Sequence, residues 1–481
     1  MGRLGSGMKP LAGERVSKVD MMNQQSEQTQ LRQLVEYARG CSFDNLPDAG
    51  KIQLKIRVLD TIGCAIGALP APPMSAIRSQ IEEFCGEGPC TLIGGGSAPP
   101  DRAAFYNSAL VRFLDLNDVY VARGETCQPS NNLGAVLAAA ETARGSGESF
   151  LDALTCSYQV QCLLADKAPV TAKGFDVAAH GSYAAAAGAA KALGLNLKQT
   201  ENAVAIAGAA NNPLAVRRPG MASDWKRLAH PAAAGSAVHA VLMAARGITG
   251  PPNVMEGTKG FMESVAGEFE VSWMSGQPER VTRSNIRRYS GSLRAQSCVE
   301  GVVELRSRYE FEPENVRHVD VDMPPDAFSE LNPGPVDLPV TSREQAAESL
   351  PFMVAAALVD GELTPVQYEP GRIDRPELQN LLGRIRIRRQ IPASGAAPEK
   401  LPCHIRILLD NGWMLKRAKS DYEGHHTRPL TFPDVHRKFQ RLTEGRIDKR
   451  LRTEIADTVA RLEALQISDL TDLLRECEAH H

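Results

Sequence analysis

The sequence predicts a mainly α-helical protein, a large all-helical domain followed by a smaller α+β domain. Three observations lead there. The chain has 481 residues, more than one hydrophobic core usually serves, so at least two domains are expected. Hydrophobic residues make up 43% but aromatics only 5%, so the core must be built from Ala, Leu, Val, Ile and Gly, small side chains that suit close helix packing. Apolar residues recur at helical spacing up to about Ser272 and alternate with charged ones beyond it.

Residues 1–30 are rich in Gly, Ser, Gln and Met without apolar periodicity and read as a disordered leader or tag. The helical domain is expected over 31–278. Leu31, Leu34, Val35 and Ala38 mark a first helix, and Ile52, Ile56, Leu59, Gly63 and Ile66 a second. Five Ala-rich stretches, 134–144, 150–164, 182–193, 200–210 and 231–246, carry Gly or Asn at their ends and show no strand alternation.

The α+β domain is expected over 279–420. Val316, Val319, Val321 and Met323 are interleaved with charged residues, 384–389 alternates Arg and Ile, and 404–409 leads through Asp410-Asn411-Gly412 into 413–416. Asn-Gly tolerates the positive φ of a tight hairpin. A helix is expected over 342–358, with Leu350, Phe352, Val354, Ala355 and Leu358 on its apolar side, and 324–340 and 391–402 as irregular connections. Helical patterns at 435–442 and 451–465 form a segment, 421–481, expected to return to the helical domain. No internal repeat is present.

With 54 basic and 57 acidic residues the net charge is −3, too weak a field to recruit nucleic acid or an anionic membrane, so neither is expected as a partner. Ten cysteines show no Cys-x-x-Cys pair, which argues for free thiols in a reducing compartment. No apolar run approaches the ~18 residues of a membrane span and no signal-peptide order opens the chain, so a cytoplasmic location is expected. Metal-ligand spacing, a phosphate-cradling Gly loop and a dinucleotide fingerprint are all missing, so no cofactor is expected.

Three separated segments carry a family resemblance. Leu59-Asp60-Thr61-Ile62-Gly63-Cys64-Ala65 resembles the early helix of the MmgE/PrpD family, which includes 2-methylcitrate dehydratase and cis-aconitate decarboxylase. Ala103-Ala104-Phe105-Tyr106-Asn107-Ser108-Ala109 with Leu114-Asp115-Leu116-Asn117-Asp118 is similar to its Asn-containing helix and Asp-Phe-Asn-Asp segment, and Gln128-Pro129-Ser130-Asn131-Asn132-Leu133-Gly134 to its His-Pro-Ser-Asp-Asn-Leu-Gly. Trp225-Lys226-Arg227-Leu228 resembles its Lys-Arg-Leu-His segment. The resemblance implies a helical domain with a smaller α+β lid meeting it at a cleft, a homodimer, and cofactor-free removal of water or carbon dioxide from polycarboxylates through a carbanion-like intermediate. Such chemistry needs a base, an acid and cations that neutralise substrate carboxylates.

The family's Asp and Lys fall on Asp115 and Lys226, but other positions depart from its pattern. Val119 stands where the family has Thr and Gln128 where it has His. Its Gly-Phe-His-Pro becomes Gly174-Phe175-Asp176-Val177, with His180 four residues past Asp176. In the segment from Tyr289 to Gln296 the decarboxylase-type His falls on Gln296, although dehydratases carry Gln near there, in a His-Ser-Gln-Thr that matches Arg294-Ala295-Gln296-Ser297. Phe352 takes the place of the lid-helix Tyr. Proton-transfer groups thus give way to amides and apolar side chains.

The candidate catalytic residues are Asp115, Lys226, His180 and His230, and the candidate substrate-binding residues are Arg217, Arg218, Gln128, Asn131, Val119, Tyr289, Arg294, Gln296 and Phe352. Asp115 either takes part in chemistry or supports a turn with Asn117 and Asp118; each His is either a core or helix-start residue or a base. Arg217 and Arg218 offer forked guanidinium groups suited to carboxylates. The reading is a cofactor-free lyase or isomerase acting on a carboxylate-bearing small molecule, with poor activity expected on 2-methylcitrate and cis-aconitate. One alternative is the same scaffold recruited to natural-product biosynthesis for an isomerisation or cyclisation of a more apolar substrate; another is an inactive interaction protein. Several cations in the cleft would favour the first and a lone cation in an apolar pocket the second.

Overall fold

The computed structural model describes residues 29–122, 124–216, 223–273, 280–331, 340–389 and 400–477. Thr29 caps the first helix, Gln30–Gly40, by accepting from the Arg32 amide, and the helix buries Leu31, Leu34, Val35 and Ala38. The second, Asp48–Ala68, is buried on nearly every side from Leu54 onward. Around it pack Pro100–Phe113, Leu133–Ala143, Gly147–Lys167, Ala178–Ala192, Leu197–Ala210 and Trp225–Ala245. Small residues let these helices approach closely. A Cβ on Gly134 would stand 2.5 Å from Ser108 Oγ and 2.7 Å from Ala104 O, so only glycine fits.

The helical body differs from its predicted form in several ways. It is not all-helical, because two short antiparallel ribbons cross it: β1 (Cys90–Thr91) with β2 (Ser97–Ala98), and β3 (Tyr120–Ala122) with β4 (Glu125–Cys127). Two- and three-residue strands are too short to show alternation. The stretch predicted to start at Pro231 begins at Trp225 and runs through that proline; burial of Ala229, His230 and Ala233 offsets the hydrogen bond the ring cannot make. This helix, against expectation, is long and apolar enough to cross a membrane by length and composition, and 61% of that window is buried inside the protein. Pro72–Phe84 and Ile467–Arg475 are further helices.

The smaller body is a four-stranded sheet in the order β6-β5-β7-β8. β5 (Val316–Met323) pairs parallel with β6 (Ile385–Arg389) and antiparallel with β7 (Cys403–Leu409), which turns through Asn411 and Gly412, φ 86°, into β8 (Met414–Lys419). Val319, Val321, Ile405 and Ile407 share a buried cluster with residues of Gln296–Arg308 and Leu350–Asp360. The helix predicted over 342–358 is two helices, Arg343–Glu348 and Leu350–Asp360. Ser349 breaks them, its hydroxyl accepting from the Phe352 amide, and Pro351 occupies the first turn of the second, where its missing N–H has no partner to lose. Pro325–Leu331 is a helix inside a stretch predicted irregular; 332–339 and 391–399 lie outside the described residues, as do 1–28 of the leader. Phe432–Thr443 packs Val435 and Phe439 into the same core as the N-terminal helices.

Candidate functional site

Asp115 follows Pro100–Phe113 in the left-handed region, φ 54°, a conformation that Asp tolerates better than most residues. Arg112, one turn back, pairs with its Oδ1. Arg227, from the first turn of Trp225–Ala245, places Nε 3.2 Å from Oδ2, and Arg287 places Nη1 3.3 Å from Oδ1. Burial opposes ionisation of Asp115, but these three guanidinium groups outweigh it and hold the carboxyl well below the usual carboxylate range. Asp115 is therefore a fixed anion that aligns three cations.

Each cation is held from a different side. Arg287 donates to Asn117 O at 2.9 Å, Asn117 Oδ1 at 2.7 Å and Gly291 O at 3.3 Å. Arg227 lies over the Phe113 ring at 5.8 Å and 3.5 Å from Glu344, a residue of the smaller body. Lys226 reaches the same short helix and pairs with Glu348. The cluster thus sits at the seam between the two bodies.

A second set of hydrogen bonds supports it. Asn117 Nδ2 donates to Ser130 Oγ and Asn131 Oδ1, both at 2.9 Å, and Asn131 Nδ2 is a buried donor without a partner. Asn132 Nδ2 donates to Gln161 Oε1 at 2.6 Å, which leaves Asn132 Oδ1 to accept from His230 Nε2 at 3.1 Å. His230 Nδ1 is then the unprotonated nitrogen, and it too has no partner. Burial, with Arg112 adding to it, pushes the His230 pKa down to about 3. Asp60, from the first of the sequence motifs, pairs with Lys438 Nζ at 2.6 Å, and Lys438 donates to Leu116 O and Arg287 O at 2.8 Å each. That motif therefore fixes the two loops flanking Asp115.

The neutral state of His230 makes stability pH-dependent. Between about pH 3 and the ordinary histidine value of about 6.5 the unfolded chain binds a proton that the folded chain excludes, so this contribution is complete above 6.5 and is lost as pH falls toward 3, by up to ~1.4 kcal/mol per pH unit. His230→Gln, which can still donate to Asn132, is expected to flatten the fall in melting temperature between pH 7 and 5. Parallel curves for the two proteins would show that His230 carries no such linkage.

The remaining candidates are placed as follows. His180 is fully buried; its Nε2 donates to Ala168 O at 2.7 Å, its Nδ1 lies 3.7 Å from Glu125, and its ring meets the edge of Phe261. Burial lowers its pKa, which fits the core-residue reading of the two offered for it. Gln296 spends its amide on its own loop, accepting from the Arg288 and Tyr289 amides at 3.0 Å and donating to Tyr289 O at 2.8 Å. Val119 bridges to Asn285 through the backbone and packs with Leu293 and Tyr422. Phe352 is buried against Tyr368, centroids 5.5 Å apart. All three side chains make packing or loop-holding contacts within the protein. Tyr289 is buried beneath Arg288 and its hydroxyl is pushed up to about 12 by burial; Arg294 pairs with Asp326 at 3.0 Å; Gln128 is half-buried at the end of β4. Arg217 and Arg218 lie outside the described residues.

Sequence reasoning missed Arg112, Arg227 and Arg287. Arg112 was detectable from its (i, i+3) spacing to Asp115, and Arg227 adjoins Lys226; Arg287, 172 positions from Asp115, carried no local signal. Among the described residues no group of three or more His, Cys, Asp or Glu could hold a metal. Two concavities of about 530 and 300 Å³ are lined by other residues, among them Lys167 and Arg280 in the first and Arg39 and Lys191 in the second.

Family models for the MmgE/PrpD N-terminal and C-terminal domains match residues 32–274 and 289–464. The chain belongs to the MmgE/PrpD family. It is 26% identical over 464 residues to 2-methylcitrate dehydratase of Cupriavidus necator, covering 86% of this chain and 91% of the relative. It is 25% identical over 447 residues to the cis-aconitate decarboxylase-like protein oryM of Aspergillus oryzae, covering 87% and 90%. With cis-aconitate decarboxylase of Mus musculus it shares 24% over 463 residues, 91% of each chain. Identity this low over nearly full length marks a divergent MmgE/PrpD member. The MmgE/PrpD C-terminal match runs past β8 to residue 464, so it includes helices that the structure packs on the N-terminal core.

Proposed function

We propose that the chain is a lyase or isomerase of MmgE/PrpD type that binds a carboxylate-bearing small molecule at the seam around Asp115, without a metal, nucleotide or flavin. The observation that supports this best is the charge there: Arg112, Arg227, Arg287, Arg343 and Lys226 against Asp115, Glu344 and Glu348 leave two cations uncompensated. Removing a proton beside a carboxylate creates a dianionic intermediate, and fixed guanidinium groups stabilise that developing charge without reorganising. Asp115 keeps them in place. Lys226 and His230 are then the groups that move a proton; an anionic substrate beside His230 would raise its depressed pKa toward a useful value. Nine of the ten free cysteines are buried, which suits the reducing cytosol where we place the chain, as a homodimer.

A second reading, an isomerisation or cyclisation of a more apolar substrate by confinement, draws on Val119, Gln296 and Phe352, which occupy family positions of proton-transfer groups with side chains that cannot titrate. Deuterium exchange in D₂O tests the choice. Under the first reading the protein catalyses exchange of hydrogens beside the carboxylates of small polycarboxylic acids, with the rate unchanged after dialysis against a strong chelator. No exchange from any carboxylic acid overturns it, and a loss restored by added metal overturns its cofactor independence.

A further inference from the structure

Two carboxylates of the smaller body stand on cations of the seam. Glu344 and Glu348 lie four positions apart on the short helix Arg343–Glu348, a spacing that puts both on one face. Lys226 and Arg227 are neighbours in the first turn of Trp225–Ala245, on the helical body. Lys226 Nζ pairs with Glu348. Asp115 accepts from Arg227 Nε at 3.2 Å, and Glu344 accepts from Nη1 of the same guanidinium at 3.5 Å. Carboxylates of the chain itself thus sit on two of the cations offered to a substrate.

Their hold is weak. The Lys226–Glu348 pair joins side chains 40% and 37% exposed, and 3.5 Å is long for a hydrogen bond, so neither contact contributes much. A helix this short has no stability of its own, and Ala346 alone among its 6 residues is buried. A further contact is the Arg343 guanidinium, 5.2 Å from the Phe113 ring centroid. Ser342 caps one end of the helix, and at the other Ser349 separates it from the buried helix Leu350–Asp360, so it can shift without unwinding its neighbour.

A carboxylate entering the seam is drawn to the same two cations. We propose that Glu344 and Glu348 form an internal latch: they occupy Lys226 and Arg227 in the absence of substrate, and a substrate carboxylate binds by displacing them, which frees the helix Arg343–Glu348 from the helical body. This inference rests on the carboxylate reading of the seam and adds to it the competitor that sets the affinity. Apparent affinity falls with the fraction of molecules whose cations are free, so weak pairs give a modest restraint that substrate releases easily.

Titration calorimetry and hydrogen–deuterium exchange on the full chain test it, with propane-1,2,3-tricarboxylate as the probe. Glu344→Gln and Glu348→Gln keep side-chain size and remove the competing charge. Each is expected to tighten binding roughly two- to fivefold, and the double variant more than either. In the wild type, saturation with the probe should speed amide exchange across 343–348; in the double variant exchange there should already be fast without it. Tighter binding with exchange across 343–348 indifferent to the probe is a field effect of the lost charges and overturns the latch. Unchanged affinity in both single variants overturns it too, while binding by the wild type leaves the carboxylate reading intact. A wild type and a double variant that both fail to bind the probe overturn that reading, and the latch with it. Should the double variant fail to fold, Glu348→Gln alone supplies both readouts, with the same outcomes for and against.

Discussion

Asp115→Ala is expected to be the most damaging single substitution in this protein. It leaves Arg112, Arg227 and Arg287 facing one another without their common anion in a largely buried site. Removing one partner of a buried ion pair costs about 3–5 kcal/mol, because the surviving charges stay desolvated. Asp115→Asn keeps the shape and removes only the charge, so it isolates the electrostatic part. Urea unfolding of both variants checks this: midpoints that match the wild type would mean that the three arginines find other anions, and Asp115 would lose its role as organiser. Because its carboxyl is held well below the ordinary value by burial-opposed arginine charge, the stabilisation is complete above about pH 4 and is lost only as pH falls through that depressed value.

Lys226→Ala should give the largest loss of activity for the smallest loss of stability. Its ion pair with Glu348 is between side chains 40% and 37% exposed, and such surface pairs contribute about 0–1 kcal/mol. If Lys226 binds a substrate carboxylate or moves a proton, removing it should lower kcat/KM by roughly ten- to a hundred-and-fiftyfold, while the melting temperature barely changes. Lys226→Arg separates the two roles, since it restores charge but is too weak an acid to pass a proton. An unchanged rate in Lys226→Ala would return this residue to an ordinary solvated helix start.

Periodicity carried most of the fold. The long helices and the β7–β8 hairpin are written in local spacing, because amphipathic burial and an Asn-Gly turn act over a few residues. What spacing could not show were the places where tertiary packing overrides a local rule: Pro231 inside a helix, the break at Ser349, and two ribbons too short to alternate. The site was half legible. Asp115 and Lys226 were visible because each sits in a recognisable segment. Arg287 was not, because it reaches Asp115 from 172 positions away in the chain. His180 was noted four residues past Asp176, in the segment that departs from the family's Gly-Phe-His-Pro; in the structure it is buried and bonded to Ala168. Phe352 and Gln296 were read as emptied catalytic positions; in the structure one belongs to a buried cluster and the other clamps a loop.

Lys438 joins Asp60 to the loops at Leu116 and Arg287, across 322 positions in the case of Leu116. During synthesis the N-terminal helices emerge long before that lysine does. Until Phe432–Thr443 has left the ribosome, Asp60 is without its counter-ion and neither loop beside Asp115 has its tether. Contacts of such sequence separation form late and slowly. A nascent or C-terminally shortened chain would therefore hold folded helices but no assembled seam, and the protein becomes competent only when about the last tenth of the chain is being translated.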